Sequence, residues 1–395
     1  MKGIYIHVPF CKSKCTYCDF ASYPGQIGKS ELYFACLYKE MKAKFSQMKD
    51  KRFTSVYFGG GTPSFVEPKF IYGAMKLIYN ECKISKNAEI TLEVNPGTLD
   101  ESKVKVYKNA GINRFSVGLQ SSNDETLQNI NRIHTKQDFI KCMYLLKDFN
   151  TSVDVMVGLP NETFLDVKNT IDLATSFDNV KHISLYTLKP EEGTPMFTKY
   201  LNGELLSDDE TAEIYEKSVS YLKEKGFFRY EVSNFSKGEY YSKHNYNYWQ
   251  RGEYIGFGVS ASSFINERRF TNTENIDNYC KCILANKVAE IYSENIEGFE
   301  RNKEYAMLSL RTANGVNLND YFKTFNSDFK KDFENAIKNN LSYLDINDKR
   351  IKIKDEYLFV QNSILVDFIE WGINERFRSF TRAYGIFNAW RYGKN

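Results

Sequence analysis

The feature that most constrains this chain is a strand–helix alternation repeated six times. Short runs rich in β-branched and aromatic residues open each repeat: "GIYIHV" (3–8), "TSVYF" (54–58), "AEITLEV" (88–94), "NRFSVGL" (113–119), "SVDVMVGL" (152–159) and "KHISLYTL" (181–188). Helical stretches follow at about 30–48, 68–82, 100–109, 123–149, 163–176 and 208–225, the last with Ser207 or Asp208 as N-cap. Such alternation predicts a parallel sheet with right-handed crossovers. Six units are too few to close an eight-fold barrel. The expected fold is therefore α/β, an open, partial (βα)6 TIM-like barrel over residues 1–226. Residues 227–295, with "RYEVSNF" and "IGFGVSASSF", read as strands extending the sheet. In 296–370, "FERNKEYAMLSLRT" and "FENAIKNNLSYL" read as helices and "RIKIKDEYLFV" as a hairpin, which predicts a small winged-helix-like α+β module. Residues 371–395 interleave arginine with Phe, Trp and Tyr, a pattern that suits an interfacial or partner-binding segment or a disordered tail.

The unusual residues collect at one end of this scaffold. Cys11, Cys15 and Cys18 follow the first strand, and "GGGTPS" (59–64) follows the second. The next strands end in "EVNP" (93–96), "GLQS" (118–121), "GLP" (158–160) and "YTLKP" (186–190). Loops need Gly and Pro for turns alone. Agreement among six loops points instead to a functional rim at the C-terminal ends of the strands. Gly59, Gly60 and Gly61 allow close backbone approach to a ligand. Glu93 offers an acceptor for hydroxyl or ammonium groups, or else half of a salt bridge with Arg114. Gln120, Arg132 and Asp154 offer polar contacts, and Asp154 stands in an apolar run where a lone carboxylate is costly.

Three cysteines within eight positions admit several readings. A disulfide framework is disfavoured by 8 Cys in 395 residues and no apolar signal peptide. Structural zinc wants four ligands, commonly from two paired clusters, and no second CxxC exists. A [4Fe–4S] cubane on three thiolates leaves one iron open to a non-protein ligand. Spacing alone leaves zinc and cluster closely matched, with a redox Cys15/Cys18 pair as a third reading.

Net charge is +3, from 53 basic and 50 acidic residues, so no strong field points to nucleic acid or membrane. No apolar run is long enough to span a bilayer. The chain reads as a soluble, cytoplasmic protein. Aromatics make up 15% of it, enough to build a core and also to line a pocket for a flat ligand. One aromatic cluster, "HNYNYW" (244–249), holds one of only four histidines. Imidazole suits iron, and Tyr246, Tyr248 and Trp249 suit a porphyrin face. The same residues also read as a loop histidine beside aromatic core.

The motifs "YIHVPFCKSKCTYCDF", "FGGGTPS", "EVNP", "RFSVGLQS", "DVMVGLP", "YTLKPEEGTP", "YEVSNF", "HNYNYW" and "IGFGVSASS" resemble those of radical S-adenosylmethionine (SAM) proteins. Over residues 1 to about 370 the resemblance is to the group that contains oxygen-independent coproporphyrinogen III oxidase and the heme chaperones. It implies that Cys11, Cys15 and Cys18 hold a [4Fe–4S] cluster whose open iron is chelated by SAM. It further implies SAM contacts from Tyr5, Gly60, Gly61, Thr62, Glu93, Gln120, Arg132 and Asp154, more loosely from Thr187 and Ser262, and a heme contact at His244. The oxidase has a further cysteine two places beyond its CxxC and an N-terminal arm. Here Phe20 stands at that place, and only Met1 and Lys2 precede Gly3. These departures favour the heme chaperone branch over porphyrinogen decarboxylation. On that branch the expected partners are heme and recipient hemoproteins, respiratory ones among them. A homodimer and peripheral contact with the inner membrane face are also expected, with no nucleic acid.

Overall fold

A computed structural model describes residues 1–370, and the expectation for 371–395 lies outside the described residues. The six repeats are β1 (Lys2–Val8), α1 (Ser30–Gln47), β2 (Arg52–Gly60), α2 (Pro68–Glu81), β3 (Lys83–Val94), α3 (Glu101–Asn109), β4 (Arg114–Gln120), α4 (Asp124–Asn129), α5 (Lys136–Leu145), β5 (Asn150–Val157), α6 (Phe164–Thr175), β6 (Val180–Thr187), α7 (Pro195–Leu201) and α8 (Asp208–Glu224). After them come β7 (Phe228–Glu231), β8 (Asn234–Ser236), α9 (Lys243–Trp249), β9 (Glu253–Phe257), β10 (Ser262–Ile265), β11 (Arg268–Asn272), α10 (Ile276–Leu284) and β12 (Glu290–Asn295).

All twelve strands form one sheet in the order β12-β11-β10-β9-β1-β2-β3-β4-β5-β6-β8-β7. From β1 to β6 each strand lies parallel to the next. On the other side β1 takes β9 as a further parallel neighbour, with Lys2 opposite Glu253. The strands β7, β8 and β10 to β12 are added antiparallel. The crossover helices turn apolar faces to the sheet, where Phe34, Leu37, Met41, Ile71, Met75, Phe139, Val167 and Ile171 join the buried strand residues in one core. Removing such area from water is the main favourable term for a sheet of this kind.

The opposite face is unusually polar. There Ser55, Tyr57, Glu89, Thr91, Arg114, Ser116, Ser152, Asp154, His182 and Ser184 are all buried. Most buried polar groups in proteins are hydrogen-bonded, and His182 illustrates this. Its ring nitrogens lie 2.7 Å from Ser152 Oγ and 2.8 Å from the Tyr230 hydroxyl.

Two local expectations change. The stretch 123–149 is two helices, because Asn131 adopts a left-handed φ of 59° and Thr135 starts α5 with a capping box. The hairpin near the C-terminus joins Leu344–Ile346 to Arg350–Ile353, with Asn347 Oδ1 accepting from the Lys349 and Arg350 N–H groups to shape the turn. "DEY" is a short helical turn rather than strand. This module has its own core, which includes Leu310, Tyr321, Phe329, Phe333, Ile351 and Phe368. It docks on the barrel through Glu304, which accepts from Arg251 at 2.6 Å and from Arg269.

Candidate functional site

One cavity at the C-terminal ends of the strands gathers most of the candidate residues. Its lining includes Cys11, Cys15, Cys18, Phe20, Gly60, Gly61, Thr62, Glu93, Gln120, Arg132, Asp154 and Thr187. The cysteine loop enters it directly from β1. The Cys18 N–H bonds to the Cys15 carbonyl at 3.2 Å, closing a tight turn. Thr62 Oγ1 donates to Cys11 Sγ at 3.5 Å, Arg132 Nη1 to Cys15 Sγ at 3.7 Å, and Ser22 Oγ lies 3.8 Å from Cys18 Sγ. Burial raises the Cys11 thiol and pushes Cys18 up to about 11, so a bound metal must displace their protons. Among the described residues no three His, Cys, Asp or Glu side chains converge closely enough to hold a single ion. All eight cysteines are free thiols.

The strand ends supply a polar ring. Asp154 on β5 accepts from the Tyr186 hydroxyl at 3.1 Å and from Ser116 Oγ at 3.4 Å, which explains how a carboxylate survives in an apolar run. Glu93 on β3 accepts from the Tyr57 hydroxyl at 2.8 Å. The alternative reading of Glu93 is a salt bridge with Arg114. Arg114 faces Glu89, four residues before Glu93 on the same strand and 3.8 Å away.

Gln120 ends β4 where the register with β5 shifts, and its φ of 70° is costly for a non-glycine residue. Arg132 comes from the break between α4 and α5. It donates to the Gly118 carbonyl and, at 3.4 Å, to Asn95 Oδ1. Gln120 Oε1 and Arg132 Nε are both buried without a partner. Gly60 has a φ of 112°, and a Cβ there would sit 2.6 Å from the His7 ring. Orphaned polar atoms and a strained backbone around three thiols fit a polar cofactor beside a metal cluster.

Three sequence candidates lie elsewhere. Tyr5 is fully buried inside the barrel, stacked on Tyr57 with its hydroxyl 3.0 Å from His7 Nδ1, and does not line the cavity. Ser262 is buried on β10, bonded to Thr271 Oγ1 at 2.9 Å. His244 is at the opposite end. Conversely, Asn95, Ser116 and Tyr186 line the cavity without having been singled out from the sequence. Tyr186 carried a readable signal, since it stands on β6 opposite Met156, two residues after the strand position of Asp154.

His244 sits on α9, which packs against β1 and β2 from below. Glu89 anchors its first turn by accepting from the Lys243 and His244 N–H groups, each at 3.0 Å. The imidazole is 1% exposed. Its Nδ1 lies 2.9 Å from Ser55 Oγ and its Nε2 2.8 Å from the Tyr248 hydroxyl. The ring stacks on Tyr57 at 5.1 Å, and only a glycine at position 3 leaves room for it, because a Cβ there would lie 2.9 Å from Cε1. Burial, reinforced by the Arg114 charge, lowers its pKa to about 3, so the ring is neutral. The imidazole named from the sequence as a heme contact is enclosed here, with both nitrogens paired.

The chain matches the family model of the radical SAM superfamily over residues 5–174. It is 38% identical over 269 residues to the heme chaperone HemW of Buchnera aphidicola (subsp. Schizaphis graminum), covering 67% of this chain and 70% of that protein. With the heme chaperone HemW of Lactococcus lactis it shares 30% over 377 residues, covering 94% and 98%. Its fold superposes on Escherichia coli coproporphyrinogen III oxidase (HemN) with a TM-score of 0.82 at 19% identity, over 94% of this chain and 90% of that one. A cysteine-lined rim cavity on this sheet, together with relatives matched over two thirds of the chain and, in one case, nearly all of it, places the chain in the HemW family of radical SAM proteins.

Proposed function

We propose that this protein binds heme and delivers it to recipient hemoproteins, as the name of its HemW relatives states for them. The observation that carries this reading is the match to those relatives over nearly the whole chain. Cys11, Cys15 and Cys18 would hold a [4Fe–4S] cluster, and Gly60, Gly61, Thr62, Glu93, Gln120, Arg132 and Asp154 would hold SAM. When bound, these groups supply one-electron chemistry at the SAM sulfonium. The chain's own part is to bind and orient. Glu93 and Asp154 present acceptors for ammonium and hydroxyl groups, Gln120 and Arg132 bring the two unpartnered polar atoms, and Gly60 leaves the backbone accessible. Phe20 lines the cavity where the oxidase pattern calls for a further cysteine. Recipient hemoproteins, a homodimer and a cytoplasmic location at the inner membrane face belong to the same reading.

The test is anaerobic reconstitution followed by a heme titration and a coproporphyrinogen III assay on one sample. Saturable heme binding without formation of protoporphyrinogen IX is expected. Efficient conversion with no specific heme binding would replace this reading with the oxidase.

A further inference from the structure

The two ends of the barrel are joined by one side chain. Tyr57 is 2% exposed and lies at mid-height on β2. Its hydroxyl donates to Glu93 Oε1 at 2.8 Å, and Glu93 lines the cofactor cavity. One face of its ring lies 5.1 Å from the His244 ring at an interplanar angle of 24°. Tyr5 flanks the same ring at 6.4 Å, also at 24°. Tyr57 therefore stands between two aromatic neighbours and has a single oxygen on a cavity carboxylate.

His244 is itself over-determined. Ser55 and Tyr248 hold both ring nitrogens, Gly3 leaves the space, and Glu89 fixes the helix start. A ring held this firmly fixes where Tyr57 can sit, because packed interiors leave few alternative rotamers. The position of Tyr57 in turn sets where the Glu93 carboxylate points.

We infer that "HNYNYW" acts on SAM binding from below, with His244 and Tyr57 as positioning residues for Glu93. His244 does this from its enclosed position, with Ser55 and Tyr248 on its two ring nitrogens. By linkage, anything that displaces α9 must also weaken SAM, and bound SAM must resist that displacement by the same factor. The inference rests on the SAM reading of the rim cavity.

The experiment measures the SAM dissociation constant by equilibrium dialysis on the anaerobically reconstituted full chain. Iron content and the heme titration are read in parallel. Tyr57→Phe keeps the ring and removes one oxygen, and SAM affinity should fall about tenfold, the scale of one lost hydrogen bond to a charged group. His244→Ala should lower SAM affinity with iron content unchanged. The double variant should bind SAM no more weakly than the worse single variant, because the two residues act in series.

A wild type that binds no SAM sinks the SAM reading itself. A wild type that binds SAM, with Tyr57→Phe unaltered, sinks only the relay. The relay is also overturned if the two losses add in full, or if His244→Ala leaves SAM affinity intact while shifting the Soret band of the heme complex. Should His244→Ala fail to fold, Tyr57→Phe decides alone.

Discussion

The two ends of the barrel hold their motif residues in different settings. At the upper rim, Gln120 Oε1 and Arg132 Nε are buried without partners beside three thiols, and the backbone at Gln120 is strained. At the lower end, the His244 ring has a partner on each nitrogen, a tyrosine stacked on its face and a carboxylate holding its helix. Both ends hold motif residues that a sequence reader would mark as functional. At the rim the unpaired donor and acceptor line an open cavity, whereas the His244 ring is enclosed and paired on both nitrogens.

The largest effect should come at the upper end. Replacing Cys11, Cys15 or Cys18 with alanine should abolish iron incorporation, measured as iron per chain and as visible absorbance after reconstitution. Cys36, Cys82, Cys142, Cys280 and Cys282 should tolerate the same change with iron retained. Full iron in a Cys15→Ala chain would break the contrast.

Glu89→Ala strikes the lower end. It removes a buried carboxylate that faces Arg114 and caps two N–H groups of α9. Breaking one partner of such a pair costs about 3–5 kcal/mol. Urea unfolding should register a loss of that order while iron content stays normal. A neutral result would mean that α9 is not anchored from β3.

A smaller effect tests both ends by pH. Burial lowers His7 to about 4, and His134 and His244 to about 3, against 6.5 in an open chain. Below pH 6.5 the unfolded state therefore binds protons that the native state refuses, and each histidine withdraws up to about 1.4 kcal/mol per pH unit. Two buried carboxyls act in the other sense: burial raises Glu231 to about 7 and Glu162 to about 8, so their native forms take up protons first. Three groups outweigh two, and the opposing carboxyl effect fades as the unfolded chain's own carboxyls protonate near 4.5. The urea midpoint of metal-free protein should fall between pH 6 and pH 4.5, and a flat or rising midpoint would contradict the burial of these rings.

The strands and most crossover helices were legible because each is set locally, by β-branched runs and by caps such as Ser207 on α8. The cysteine loop, the glycine turn and the strand-end carboxylates were legible because each follows a strand in sequence. The break that delivers Arg132 was not, since the apolar pattern reads through residues 123–149 and only Asn131 and Thr135 interrupt it. The closure of His244 was not legible either. Its neighbours Gly3, Ser55 and Tyr57 are far away in sequence, and no local pattern reveals a pairing made across the barrel. The burial of Tyr5 below the cavity was not legible for the same reason: its strand is clear, but the depth of a residue within the barrel depends on what caps each end.

The parallel pairing of β1 with β9 has a consequence in time. The strand that carries the cysteine loop leaves the ribosome well before its partner. Its partner follows roughly 250 residues later, on the order of 10–50 s at translation rates of about 5–20 residues per second. Through that interval one edge of "KGIYIHV" stays unpaired, an apolar template open to wrong neighbours. The arrival of β9 therefore ends this exposure. A chain stalled before it would carry every thiol needed for a cluster on a strand with no second neighbour to hold it.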